Sequence, residues 1–209
     1  MFKNKMKRGK FIVIDGIDGC GKSTQVPVIL KYLHDKSKYN HVLVTREPYK
    51  SREIREILRQ KEDAYSQAKK LAELFIQDRK EHIEEIILPA LERGLHVISD
   101  RYKYSTIAFQ TIQGIPVQDL VNMHESLLVP DLAIIFDVPS PVSAERMNGD
   151  NRKEHKFEAD KEFQEKVRQK YLEMPKFLPG EKIIIIDATK SIEEVKQEII
   201  SILDRTLDL

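Results

Sequence analysis

The sequence predicts an α/β fold in three layers, a five-stranded parallel sheet flanked by helices on both faces. Three observations predict it. Short apolar runs recur along the chain, separated by amphipathic segments of helix length. Several of the runs are apolar without alternation, as strands covered on both faces are. The first run leads straight into a glycine-rich loop and then a helix, the unit from which such sheets are wound.

In chain order, residues 11–14 (Phe-Ile-Val-Ile) form the first strand, closed by Asp15. Residues 16–23 read Gly-Ile-Asp-Gly-Cys-Gly-Lys-Ser, a complete G-x-x-x-x-G-K-[ST] phosphate-binding loop. Val26, Ile29, Leu30 and Leu33 then fall on one face of a helix over 23–34. The second strand covers 42–44, and helices follow over 52–59 and 64–93, the longer one bent near Leu88-Pro89 because proline disturbs the preceding turn. A third strand at 95–98 precedes helices over 105–113 and 117–128. The fourth strand, 132–136, leads to helices over 142–147 and 160–177, and the last, 183–186, to a helix over 192–207. The polar segment 148–156 reads as a mobile loop. No repeat or linker interrupts this order, so 1–209 is expected to be one domain with a solvated basic tail over 1–9.

Composition narrows the function classes. Lys+Arg (35) and Asp+Glu (34) nearly cancel, so no global grip on nucleic acid or an anionic membrane is expected. No segment has transmembrane length, and the apolar run after the basic start is too short for a signal peptide. The single cysteine, Cys20, suits a reducing cytoplasm, and the six scattered histidines lack metal-ligand spacing and read as surface or packing residues.

The loop carries the chemistry. Gly16, Gly19 and Gly21 let the N–H groups of a stretch that includes Ile17, Asp18 and Cys20 converge on phosphate oxygens. Lys22 is placed to reach the outer phosphates and the Ser23 hydroxyl to ligate Mg²⁺, with Thr24 following at the helix start. Sheets of this kind gather ligands at the carboxyl ends of their strands. Asp15, Thr45-Arg46-Glu47-Pro48, Asp100-Arg101-Tyr102 and Asp187-Ala188-Thr189 should therefore share one rim with the loop.

The segment Asp100-Arg101-Tyr102-Lys103-Tyr104-Ser105-Thr106-Ile107-Ala108-Phe109 resembles the signature D-R-[YFH]-x-x-S-x-x-A-[YF] of thymidylate kinases. The resemblance extends to Thr45-Arg46-Glu47-Pro48, Glu53-Ile54-Arg55, Leu74 through Arg79, Pro130-Asp131-Leu132, Asp137-Val138 and Ile186-Asp187-Ala188-Thr189, nearly the whole chain in the family's order. It implies a P-loop kinase fold with a short lid at 148–156, phosphoryl transfer from ATP to dTMP with Mg²⁺, and a cytoplasmic homodimer.

The resemblance also assigns roles. Arg101 and Arg55 match arginines on the acceptor phosphate, with Arg46 beside them, and Asp15 and Asp100 match carboxylates that position the acceptor and the hydrated Mg²⁺. Phe75 matches a ring that stacks on thymine and Arg79 a donor to its carbonyl, with Ser105, Thr106 and Gln110 near the nucleotide and Phe109 under the sugar. Arg146 matches a residue stacking on adenine, with Ala188 and Thr189 beside the base, and Arg152 in the lid is the expected catalytic cation. Two departures stand out. The loop after Pro48 is short, and Gly19-Cys20 stand where one branch of the family has an arginine. Two other readings fit a phosphate loop as such: a kinase of neutral nucleosides, and a nucleotide-binding regulator.

Overall fold

The computed structural model describes residues 7–59, 67–149 and 161–207. Strands β1 (Phe11–Asp15), β2 (Val42–Arg46), β3 (His96–Asp100), β4 (Leu132–Asp137) and β5 (Ile183–Asp187) form one sheet in the order β2-β3-β1-β4-β5, every pair parallel. The central β1 is buried along its length, while the edge strands β2 and β5 are half-buried. Each strand runs one or two polar residues beyond its apolar run, because the ladder pairs backbone whatever side chain it carries.

The helices are α1 (Lys22–Lys36), α2 (Arg52–Arg59), α3 (Ala68–His82), α4 (Leu88–Glu92), α5 (Lys103–Ile112), α6 (Val117–Met123), α7 (Ser140–Gly149), α8 (Lys161–Phe177) and α9 (Ile192–Thr206). One group pairs α1 with α9, and the other packs α5 against α8, α3 and α6. The phosphate loop leaves the middle of the sheet between them.

Three elements differ from expectation. The long helix is continuous over 68–92, but its Ile83–Ile87 turn is widened, with the Leu88 N–H bonded five residues back to Ile83 O. Pro89 has no N–H and crowds the preceding turn, and the wider turn accommodates it. Helix α6 stops at Met123 because the His124 ring donates to Leu120 O, a carbonyl that a continuing helix would have used for its own ladder. Residues 7–9, expected in the solvated tail, are pinned: Gly9 is buried, its N–H on Leu91 O (2.9 Å), and Arg8 meets Asp131 (3.3 Å). Residues 150–160, and with them Arg152 and most of the expected lid, lie outside the described residues.

Candidate active site

Register brings the strand ends together. Arg46 lies opposite Asp100, Asp100 opposite Ile14, and Asp137 opposite Asp187, so one edge of the sheet carries all of these groups beside the phosphate loop.

The loop turns on glycine. Gly16 (φ 142°) and Gly19 (φ 72°) adopt backbone that L side chains avoid, and a Cβ on them would lie 2.7 Å from Phe136 O and 2.6 Å from Ser143 O. Lys22, 6% exposed, folds its ammonium into the loop, donating to Gly16 O and Ile17 O (both 2.9 Å). Its charge therefore sits in the concavity where phosphate oxygens collect. Cys20 is buried beside it, and that burial pushes the thiol pKa up.

Asp15 organises the junction of the loop and α5. The carboxylate is buried and accepts from the backbone N–H groups of Gly16, Tyr102 and Ser105, and from the hydroxyls of Ser105 (2.7 Å) and Tyr171 (2.8 Å). It thus caps α5 from far away in sequence, and α5 starts at Lys103, two residues earlier than its pattern suggests. Arg101 sits at the turn this creates. Its guanidinium donates to Gly16 O (3.2 Å), Ser105 Oγ (3.0 Å) and the Asp18 carboxylate, with Asp15 3.6 Å away. Burial opposes the charge, but Asp18, Tyr171, Asp15 and Asp100 outweigh it and hold the Arg101 pKa well above its ordinary value.

A cavity of about 330 Å³ opens over the loop. It is lined by loop residues Asp18 to Thr24, by Arg46 and Asp100 at the strand ends, and by Arg146, Met147, Ala188 and Lys190 opposite. Arg146 donates to Ala188 O (3.0 Å), which fixes its side chain across the cavity wall, and Thr189 is folded onto Asp187. Of the residues expected around ATP, Asp18 to Thr24, Arg146 and Ala188 line this cavity, while Gly16, Ile17 and Thr189 do not. Asp100 Oδ1 is buried without a hydrogen-bond partner, while Oδ2 stands 3.5 Å from Arg46. Asp100 and Ser23 both line the cavity, and a carboxylate and a hydroxyl are oxygen groups of the kind that hydrated Mg²⁺ takes. No group of three or more His, Cys, Asp or Glu among the described residues forms a fuller metal cage.

The residues expected around the acceptor base do not line this cavity; they sit on α3 and α5. Phe75 is half-buried and Phe109 packs 6.1 Å from Phe163. Arg55 is anchored by the carbonyls of Pro48 and Tyr49 (both 3.1 Å). The short loop after Pro48 is held by Asp78, whose carboxylate accepts the N–H groups of Tyr49, Lys50 and Ser51. Arg79 is 1% exposed and bound to Glu47, His124 and Thr106. His124 and Tyr171 belong to no motif and escape a reading of the sequence; Glu47 and Asp78 lie in segments the sequence singles out, but their partners, met across dozens of residues, do not follow from it.

A sequence-family model described as thymidylate kinase matches residues 14–199. The chain belongs to the thymidylate kinase family. Among relatives, a probable thymidylate kinase of Thermococcus gammatolerans is 36% identical, over 95% of this chain and 98% of its own. A thymidylate kinase of Nitrosomonas eutropha is 36% identical over 96% and 94%, and one of Nitrosomonas europaea 38% over 95% and 94%. The fold agrees with the family: a thymidylate kinase is a parallel P-loop sheet of this kind, and among the described residues no helix is long and apolar enough to cross a membrane.

Proposed function

We propose that the protein transfers the γ-phosphoryl group of ATP to dTMP, giving dTDP and ADP. The observation that carries the reading is Arg101, whose guanidinium bridges the phosphate loop and the start of α5. A nucleoside monophosphate is mostly a dianion at pH 7, its second pKa lying near ~6. Its oxygen is already nucleophilic, so no general base is needed, and the difficulty is bringing two anions together. Lys22 neutralises the donor's outer phosphates, and Arg101, with Arg55 and Arg46, holds the acceptor phosphate. Asp15 acts by fixing Arg101 and α5, its own oxygens being fully engaged. Ser23 and Asp100, the latter through water, would hold Mg²⁺, which supplies further charge neutralisation when bound. Arg146, Ala188 and Thr189 would frame adenine, and Arg152 would add a cation from the lid. A homodimer through the long helical stretch read over 64–93 rests on the family resemblance.

Base choice is supported by one orphaned acceptor. Gln110 Oε1 is buried and without an acceptor's donor, one helical turn from Thr106, which accepts from Arg79. A buried acceptor beside an arginine donor suits a base edge with an N–H next to a carbonyl, as thymine has, and disfavours cytosine. Phe75 would stack on its face. Assaying dTMP, dUMP, UMP and thymidine as acceptors tests this: dTMP should give the highest kcat/KM, and preferential use of thymidine would overturn the reading.

A further inference from the structure

Arg79 is more tightly held than charge balance requires. Each of its three nitrogens donates a hydrogen bond, Nε to Glu47 Oε2 (2.8 Å), Nη2 to Thr106 Oγ1 (3.1 Å) and Nη1 to His124 Nε2 (2.8 Å), and Nη2 also forms an ion pair with Glu47 Oε2 (2.6 Å). The Tyr102 ring lies under the guanidinium, 5.1 Å away. Glu47 alone supplies the counter-charge. His124, at the end of a different helix, adds direction. Guanidinium hydrogens lie in one plane, so fixing one hydrogen of Nη1 fixes where the other points, and that one has no partner among the described residues.

The tautomer follows from the partners. Arginine has no acceptor, so His124 Nε2 must be the unprotonated nitrogen. The ring proton is on Nδ1, which donates to Leu120 O (2.6 Å). We propose that His124 is a positioning residue: its Nε2 aims the free Nη1 hydrogen of Arg79 at the carbonyl of the acceptor base and so helps select the base. Burial, and then the Arg79 charge, push the His124 pKa down to about 3, so the ring stays neutral and remains an acceptor. The inference rests on the reading of Arg79 as the donor to thymine.

The test compares His124→Gln with His124→Asn in the full chain. A glutamine amide oxygen reaches about as far from the backbone as Nε2, whereas asparagine reaches only to the Nδ1 position. His124→Asn should raise the dTMP KM roughly tenfold or more, the loss expected for one hydrogen bond to a charged group. The ATP KM and the kcat should stay within about twofold. His124→Gln should keep the dTMP KM within about threefold of wild type. Equal dTMP KM values for the two variants, or matching losses in kcat and both KM values, overturn the proposal. Should the asparagine variant fail to fold, nitrogen NMR of labelled histidine in the wild type decides: an unprotonated Nε2 whose signal moves on adding dTMP supports it, and a proton on Nε2 or an unmoved signal overturns it. Failure of the underlying reading looks different, since Arg79→Lys would then leave the dTMP KM of an otherwise active enzyme unchanged.

Discussion

Arg101 holds a backbone φ of 76°, a left-handed conformation that costs an ordinary side chain about 1 kcal/mol or more. The surroundings enforce it: Arg101 N–H donates to Ile14 O (2.9 Å), and Asp15 takes the next N–H along the chain. On the reaction proposed above, the strain aims a cation at the junction of two anions. Arg101→Ala should therefore lose at least ~3 kcal/mol of transition-state stabilisation, seen as a fall of two orders of magnitude or more in kcat/KM. His124 makes a separate prediction about acid. Its pKa is near 6.5 in the unfolded chain and about 3 in the folded one, so below pH 6.5 the unfolded chain binds a proton that the native protein refuses. Its contribution to stability is complete above pH 6.5 and is lost as pH falls towards 3. In melting curves from pH 7 to 4, His124→Gln should fall less steeply than wild type.

At the scale of elements, α5 is tied down at both ends of its first turn. Asp15 caps it, and Glu181, just before β5, receives the buried Lys103 and the Tyr104 hydroxyl (2.7 Å). Burial pulls the Lys103 pKa down while Glu181 holds it up, so the pair survives as a unit. Glu181→Ala should destabilise the protein by ~3–5 kcal/mol in urea denaturation, and a Lys103→Met/Glu181→Leu double variant should regain most of that. These ties also show what a sequence reveals. Helix α2 follows from its amphipathic pattern alone, and the phosphate loop from eight consecutive residues. The start of α5 was hidden because its cap is Asp15, remote along the chain, and the end of α6 because the His124 ring takes over a backbone carbonyl. The arginines of the site could be read, but Tyr171 and His124 could not, nor could the pairing of Glu47 with Arg79, since only the fold brings them near.

The whole molecule divides its work between the two edges of the sheet. The carboxyl edge carries strained turns, an orphaned carboxylate oxygen and the concentrated charge of the loop. The amino edge is sealed by packing, most tightly at Gly9, where a Cβ would lie 1.7 Å from Leu95 O. Gly9→Ala should cost ~2 kcal/mol, lowering Tm by ~4–8 °C, and leave kcat per folded molecule unchanged. A loss of kcat at permissive temperature would show that the two edges are mechanically linked.

Helix α7 leans hard on the phosphate loop, with the carbonyl and hydroxyl of Ser143 and the side chain of Met147 crowding Gly19. A long basic side chain grafted there would have to lever the helix off its seat before it could reach a nucleotide. The wedge therefore closes one route by which positive charge can enter the loop.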